Sequence, residues 1–334
     1  MNKKRWMALA VAGGLFLISI VTSVTSFFKW GEGEEVFKDL FADSSGYSEE
    51  IIEEGNPLEQ IVVLDIEGVI QDSGSSFLSD GEYNHRLFLK KLNDIENDGT
   101  VKGIILRVNT PGGTVVESAE IHDKLVEIMD EKGIPVYVSM GSQATSGGYY
   151  VSAPASKIFA SEDTITGSIG VILESYNVKE LADKLGIDVV TIKSGPYKDI
   201  MSTTREMTEE ERQILESMLN NAFSKFVQVI ADGRGMTEEE VRKLADGRIY
   251  DGRQAKELGL VDDFGYLEDV ISAMQKDYDL HQARVVRYVD DTFGLSSLFG
   301  IAAKKIAGTN EEKGQMLEFL LKRKGPMMMY IYEG

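Results

Sequence analysis

Short apolar runs alternate with amphipathic segments between about residue 60 and residue 288. Five of these runs each predict a strand: 61–66, 103–108, 136–140, 157–160 and 189–193. Apolar residues at helical spacing predict helices between them, as in residues 116–129, where Ile121, Leu125 and Ile128 share one face. The alternation of strands and helices is typical of an α/β fold, and the length suits one domain.

Polar residues mark where several helices should begin. Thr208 and Thr237 are each followed three residues later by a glutamate, which is the sequence pattern of a capping box. Asp251 can cap a helix over residues 253–258, and Gly259 stands where that helix should end.

The first 30 residues predict a cytoplasmic stub and a transmembrane anchor. Residues 6–28 contain no charged side chain, and at about 1.5 Å per residue they are long enough to cross a hydrocarbon core. The basic residues 3–5 precede this run, so the N-terminus should be cytoplasmic and the remainder extracytoplasmic. A cleaved signal peptide is the alternative, but the apolar run exceeds the usual signal-peptide core and no small-residue cleavage site follows it.

The remaining chain divides into three expected regions. Residues 31–58 are acidic and predict a stalk, with some helical pattern at 36–41 and 49–54. Residues 59–290 form the expected folded domain, and residues 291–334 form a C-terminal extension. The extension ends in an apolar, extended segment at 326–332, which can either dock as a strand or tail on a neighbouring subunit or enter a peptide groove.

Charge and cysteine content exclude several classes of function. The chain has 55 acidic and 35 basic residues, and its net charge of −20 argues against binding to nucleic acid. With no cysteine, the chain can form neither a disulfide nor a zinc–thiolate site, and it cannot carry a lipoprotein anchor.

The first candidate for chemistry is the serine at position 146. The apolar run 136–140 breaks at Gly141 and leads to Ser146, which Gly147 and Gly148 follow directly. A hydroxyl at such a strand-to-helix junction lies near unpaired N–H groups, which stabilise developing negative charge. The alternative interpretation is an ordinary glycine turn.

A second glycine pair ends the strand predicted at 103–108. Residues 109–113 read Asn-Thr-Pro-Gly-Gly and precede a predicted helix. Their backbone N–H groups can face an oxyanion. A tight strand-to-helix connection would have the same pattern.

None of the three histidines lies in a sequence context typical of the base that would activate Ser146. His85, His122 and His281 lie in a polar run, a predicted helix and a charged segment, although a spatial Ser-His-Asp triad stays open. Lys198 is the better candidate. A lysine base requires burial that lowers its pKa from about 10.4 to about 7–8.

Five ordered motifs give the chain a family resemblance: 109–113 (NTPGG), 144–148 (ATSGG), 166–170 (TGSIG), 193–198 (KSGPYK) and 246–252 (DGRIYDG). With these spacings, roughly residues 59–290 resemble bacterial signal peptide peptidases of the SppA type, in their short, single-domain form. The resemblance implies a ClpP/crotonase-like α/β fold of repeated ββα units behind one transmembrane helix.

The resemblance also implies a catalytic apparatus. In it Ser146 is the nucleophile, Lys198 the general base, Ser168 the hydroxyl that orients the lysine, and Gly113 and Gly147 the oxyanion hole. Such an enzyme hydrolyses apolar peptides, typically remnant signal peptides, and requires no metal or organic cofactor. In double-length relatives the serine and lysine lie in different halves, so we expect a homo-oligomeric ring in which neighbouring subunits share each site.

Two other classes of function remain open on sequence grounds. Crotonases have the same fold and stabilise enolates of acyl-CoA thioesters, although CoA is a cytoplasmic metabolite. A non-catalytic membrane scaffold is the other class, in which the Ser-Gly-Gly turn is purely structural.

Overall fold

A nine-stranded mixed sheet forms the centre of the protein in a computed structural model that describes residues 46–72, 83–290 and 327–332. Its strands are β1 (Tyr47–Glu53), β2 (Asn56–Glu67), β3 (Val101–Thr110), β5 (Val136–Thr145), β6 (Lys157–Ala160), β7 (Ile165–Gly167), β8 (Ile249–Tyr250), β9 (Asp263–Phe264) and β10 (Ala283–Asp290). A separate two-stranded sheet pairs β4 (Gly112–Thr114) with β11 (Met329–Ile331). The helices are α1 (His85–Asn97), α2 (Val115–Lys132), α3 (Gly147–Ser152), α4 (Lys179–Lys184), α5 (Glu209–Arg234), α6 (Glu238–Leu244), α7 (Gly252–Glu257) and α8 (Leu267–Asp277).

The strands follow the order β1-β10-β2-β3-β5-β6-β9, with β7 and β8 added beside the end of β5. All neighbours from β10 to β9 in this order run parallel, and β1 runs antiparallel to β10. Parallel strands are usually buried on both faces, which explains why these strands read as nearly continuous apolar runs. The predicted α/β architecture is therefore confirmed.

Alternate residues of β2 supply two hydrophobic cores. Val62, Leu64 and Ile66 face the larger core, in which helices α2, α3 and α5 also bury side chains. Ile61 and Val63 face the opposite side, where they cluster with buried residues of α8. The sheet is thus covered on both sides and holds the carboxyl ends of β3 and β5 in fixed positions.

Two local predictions were wrong. Residues 189–193 form no strand, since none of the described strands pairs with them, and Val190 and Ile192 are 84% and 97% exposed. The helical pattern at 49–54 is also wrong: these residues belong largely to β1, which pairs with β10 through Ile51. The sheet therefore begins within the region assigned to the stalk, before residue 59.

Most helix boundaries agree with the sequence. Both threonine capping boxes are formed, at Thr208 and Thr237, and Asp251 accepts the backbone N–H of Gln254 at the start of α7. Gly259 has a φ of +76° after that helix, as a helix-ending glycine should.

Among the described residues, no helix has both the length and the apolar character that a membrane crossing requires. The expected anchor at residues 6–28 lies outside those residues.

Candidate active site

Ser146 lies at the junction between β5 and α3. It is 1% exposed, and its hydroxyl has no hydrogen-bond partner among the described residues. The backbone φ of +53° is uncommon for a residue with a side chain, and such strain clusters at functional sites. A buried hydroxyl normally forms a hydrogen bond, so this arrangement suits a group that reacts.

Glycines allow the two halves of the site to approach each other. A Cβ atom on Gly147 would lie 2.7 Å from Ser118 Oγ and 3.0 Å from the Gly113 nitrogen. A Cβ atom on Gly148 would lie 2.7 Å from Thr110 Cγ2. Side chains at these positions would therefore separate the Ser146 turn from the turn that follows β3.

The second turn is fixed from its other side by a short segment after β2. The Ile70 N–H donates to the Gly112 carbonyl at 2.9 Å, and the Thr114 N–H donates to the Ile70 carbonyl at 2.8 Å. A Cβ atom on Gly113 would lie only 1.9 Å from the Ile70 carbonyl oxygen. The amides of Gly113 and Gly147, predicted as an oxyanion hole, are thus brought next to each other.

Ser168 follows β7, which runs parallel to β5, and Gly167 is the register partner of Thr145. The residue is 7% exposed, with a φ of +50°, and its N–H donates to the Arg248 carbonyl at 2.8 Å. Ser146 and Ser168 therefore each come directly after one of two strands that pair with each other.

Lys198 lies in a loop between α4 and α5, and its side chain is exposed in the single chain. Its only hydrogen bond among the described residues is the backbone one, from its N–H to the Gly195 carbonyl at 3.3 Å. One chain by itself therefore brings Ser146 and Ser168 together but leaves the lysine ammonium without contact to either hydroxyl.

None of the histidines contacts Ser146 through a hydrogen bond. His85 is buried and bonds Glu120 at 2.7 Å and Tyr83 at 3.1 Å. The rings of His122 and Tyr150 lie edge to face with their centroids 5.3 Å apart, and burial lowers the pKa of His122 despite the nearby Asp123 carboxylate. His281 is largely exposed.

The described tail residues 327–332 lie directly against the site. Tyr330 of β11 pairs with Gly113 of β4, and on its other side Met329 exchanges two backbone hydrogen bonds of 3.0 Å with Ile172. Two residues to either side of the Gly113–Tyr330 pair, the strands are joined by hydrogen bonds at Val115–Met328 and at Pro111–Tyr332. Because hydrogen-bonded and non-hydrogen-bonded pairs alternate along an antiparallel ladder, Gly113–Tyr330 is also a hydrogen-bonded position. The tail thus occupies a two-sided strand position that any extended peptide can adopt.

The side chain of Tyr330 fills an aromatic pocket that the sequence analysis missed. It is 1% exposed, its ring lies 5.0 Å from that of Tyr150 and 4.6 Å from that of Phe226, and its hydroxyl donates to the Ala222 carbonyl at 2.9 Å. Burial raises the pKa of the Tyr330 hydroxyl above its usual range. Its carbonyl oxygen lies 3.0 Å from the position of a Cβ on Gly147. The one available sequence signal was the apolar, aromatic tail itself.

Among the described residues, one cluster of three carboxylates has the spacing of a metal site: Glu96, Glu127 and Glu131, whose oxygens lie within 4.8 Å of one another. The ammonium of Lys124 already pairs with Glu96 at 2.6 Å and with Glu127 at 2.8 Å. This cation offsets part of the negative charge of the cluster, and none of the three glutamates forms a hydrogen bond with Ser146.

Comparison with known proteins relates this geometry to a family. Residues 129–281 match peptidase family S49, and this range contains Ser146, Ser168 and Lys198. A protein of Enterococcus faecium, provisionally named signal peptide peptidase SppA, is 44% identical over 89% of this chain and 88% of its own length.

More distant relatives are also proteases by name. A provisionally named protease of Methanocaldococcus jannaschii is 39% identical over 68% of this chain and 73% of its own length. Protease 4 of Salmonella typhi is 31% identical over 80% of this chain but only 42% of its own length. The chain belongs to peptidase family S49 and is a serine protease.

Proposed function

We propose that this serine protease is a membrane-anchored endopeptidase that hydrolyses apolar peptides, in particular remnant signal peptides, with Ser146 as nucleophile and Lys198 as general base. The observation that carries the proposal is the buried, unpartnered Ser146 hydroxyl beside a strand position that holds an extended apolar segment. The name of the Enterococcus faecium relative supports the substrate class.

In the proposed reaction, Ser146 Oγ attacks the peptide carbonyl while the neutral amine of Lys198 accepts its proton. The N–H groups of Gly113 and Gly147 stabilise the oxyanion that forms. Lys198 then donates the proton to the leaving amine, which leaves an acyl-enzyme ester on Ser146. A water molecule, deprotonated by Lys198, hydrolyses the ester, and no metal or organic cofactor takes part.

We also propose that each site is shared between two subunits of a ring. The exposure of Lys198 in the single chain supports this, because a lysine base requires burial that the described residues of its own chain do not supply. The surrounding segment carries many exposed apolar side chains, which favour contact with another subunit: Leu181, Leu185, Ile187, Val189, Val190 and Ile192.

The proposed membrane topology has residues 1–30 as stub and anchor, an acidic connection up to about residue 46, and an extracytoplasmic peptidase domain from there to residue 290. The uncharged run at 6–28 and the basic residues before it support this orientation. For the domain, the parallel strands with intervening helices support a ClpP/crotonase-like arrangement.

Labelling with a serine-directed phosphonate tests the proposal. We expect one covalent adduct, located by mass spectrometry at Ser146, and loss of peptide cleavage in proportion to labelling. Ser152, a buried serine at the end of α3 whose hydroxyl donates to the Gly148 carbonyl at 2.6 Å, is the matched control and should stay unlabelled. An adduct elsewhere, or turnover of acyl-CoA without peptide cleavage, would reject the assignment.

A further inference from the structure

The loop that carries Lys198 has little hydrophobic packing to hold it in place. Ile192 is 97% exposed and Tyr197 is 47% exposed. Between residues 195 and 202, the backbone–backbone hydrogen bonds are short turns, such as the bond from the Ile200 N–H to the Tyr197 carbonyl at 3.1 Å, and the first longer-range one is at Thr203, whose carbonyl accepts the Val178 N–H at 2.7 Å. The direction in which Lys198 leaves the loop must therefore be set by polar contacts.

Asp199, the residue next to Lys198, receives most of these polar contacts from the guanidinium of Arg205. Arg205 Nε donates to Asp199 Oδ2 at 2.9 Å, and Arg205 Nη2 donates to Asp199 Oδ1 at 2.7 Å and to the Asp199 carbonyl at 3.0 Å. Lys193 adds a further bond to Asp199 Oδ1 at 2.7 Å. Both the side chain and the backbone of Asp199 are therefore fixed by Arg205.

The same guanidinium is fixed in turn to a rigid helix. Arg205 Nη1 donates to Glu211 Oε2 at 2.8 Å, and Nη2 bonds the other oxygen of the same carboxylate. Glu211 is 1% exposed and also accepts the Thr208 N–H at 2.9 Å, in the capping box that begins α5. Because α5 buries Phe226 and neighbouring residues in the main core, Glu211 is a firm attachment point.

The backbone beside this Asp199–Arg205–Glu211 chain is strained. Met201 has a φ of +62°, which residues with a side chain rarely adopt. The Ser202 N–H donates to the Asp199 carbonyl at 2.9 Å across this residue. Strain of this kind persists only where the surroundings determine the conformation, so the loop is held in place rather than free to relax.

We propose that Arg205 is a positioning residue for catalysis: through Asp199 it fixes the direction of Lys198, so that the lysine amine reaches the Ser146 hydroxyl of a neighbouring subunit. The inference rests on the proposed role of Lys198. Arginine is required because its planar group bonds two carboxylates and a carbonyl at once, whereas a lysine ammonium in its place cannot reproduce that geometry.

The test compares Arg205→Lys and Asp199→Asn with Arg253→Lys in the full-length protein. Arg253 is the matched control because its guanidinium also bonds one carboxylate, that of Glu162, through both Nε and Nη2 at the protein surface. For each protein, kcat, KM and the pH dependence of kcat/KM are measured on one apolar peptide, together with Tm.

We expect kcat to fall by about 10²-fold in both Arg205→Lys and Asp199→Asn, because a displacement of about 1 Å costs that much in a positioned reaction. KM should stay close to that of the wild type, since neither residue contacts substrate. The rising limb of the pH profile should move to higher pH, because a less firmly held lysine is better hydrated. The kcat of the double variant should be no lower than that of the less active single variant, because both changes break the same contact.

Folded Arg205→Lys and Asp199→Asn proteins with wild-type kcat and an unshifted pH profile would overturn the inference. A loss of activity that follows Tm, with the pH profile unchanged, would also overturn it by assigning the chain of ion pairs a purely structural role. Lys198→Met separates the two levels of the proposal. If Lys198→Met is inactive, wild-type kinetics of the Arg205→Lys protein reject only this inference. An active Lys198→Met protein instead rejects the role of Lys198 as the base.

Discussion

The backbone N–H of Ser146 donates a hydrogen bond of 2.8 Å to the carbonyl of Gly167, the residue before Ser168. This bond extends the parallel pairing of β5 and β7 by one residue beyond Thr145. As a result, Ser146 and Ser168, which are 22 positions apart in the sequence, lie side by side just after the ends of neighbouring strands. Their relative position depends on the sheet rather than on flexible loops.

This relationship predicts unequal effects of the two serine-to-alanine variants. Ser146→Ala should abolish peptide turnover because no acyl-enzyme can form. Ser168→Ala should lower kcat less, because we expect its hydroxyl only to orient the base. Steady-state kinetics on one peptide compares them, and near-wild-type kcat for Ser168→Ala would remove this serine from the site.

A second prediction concerns the lysine. Lys198→Met should abolish turnover and leave Tm unchanged, because the side chain makes no hydrogen bond that the described residues would lose. Lys193 is unsuitable as a control, since it bonds Asp199 and the Pro196 carbonyl. Lys243 on α6 is the better control, as it is 67% exposed and pairs with Glu239 one turn earlier on the same helix. Equal losses in Lys198→Met and Lys243→Met would show that position 198 has no special role.

The two glycine turns, at Gly113 and at Gly147, could be predicted from the sequence because each depends on the residue types within the turn itself. Gly147 and Gly113 are required where two backbones meet, and the strand runs before them are apolar because both sheet faces are buried. The run at 189–193 misled the prediction because its apolar character is real but its side chains remain exposed in the single chain. A short apolar run is consistent with a buried strand, but the pattern alone does not establish that its side chains are buried within the chain.

Contacts that join distant segments, or that depend on the path of an irregular loop, could not be predicted from local patterns. The pairing of Tyr330 with Gly113 joins positions 217 residues apart, and the ion pair of Arg205 with Glu211 depends on the path of an irregular loop. β1 was missed because most of its seven residues are exposed and three of them are glutamates, and they become a strand only by pairing with β10.

The position of the tail predicts that it competes with substrate. Truncation after Arg323 should lower the apparent KM for an apolar peptide, because β11 occupies the strand position beside Gly113. Tyr330→Ala in the full-length chain should have a similar effect, since removing a buried aromatic ring typically costs about 3–5 kcal/mol and weakens docking of the tail.

Met327→Ala serves as the control for the tail variants, because Met327 is 38% exposed and lies outside β11. Its apparent KM should match that of the wild type. Competition by the tail would be ruled out if truncation left both the apparent KM and the oligomeric state unchanged.

Acid should weaken the attachment of the Lys198 loop to α5. The hydrogen bonds from Arg205 and Thr208 lower the pKa of Glu211 to about 2. A carboxylate with a lowered pKa stabilises the folded state above its unfolded pKa of about 4.3, and this stabilisation is lost as pH falls from there toward about 2. Glu211→Gln should therefore have a lower Tm at neutral pH and a flatter decline of Tm over that acidic range.

Glu216→Gln is the control for this experiment, since Glu216 lies exposed on the same helix. Its profile of Tm against pH should follow that of the wild type. A Glu211→Gln protein with the wild-type slope between pH 4.3 and 2 would show that Glu211 contributes nothing to the acid sensitivity.

The shared site predicts complementation between two inactive proteins. Ser146→Ala and Lys198→Ala subunits should each be inactive alone and should regain activity when they are co-assembled, because the exposed Lys198 would meet the intact Ser146 of a neighbour. With random mixing at equal amounts, about a quarter of the head-to-tail contacts should pair an intact serine with an intact lysine. Two differently tagged Ser146→Ala preparations, mixed in the same way, provide the control and should stay inactive. If mixed rings form, as shown by co-purification of both tags, but remain as inactive as either parent, then serine and lysine act within one subunit and the shared site is rejected.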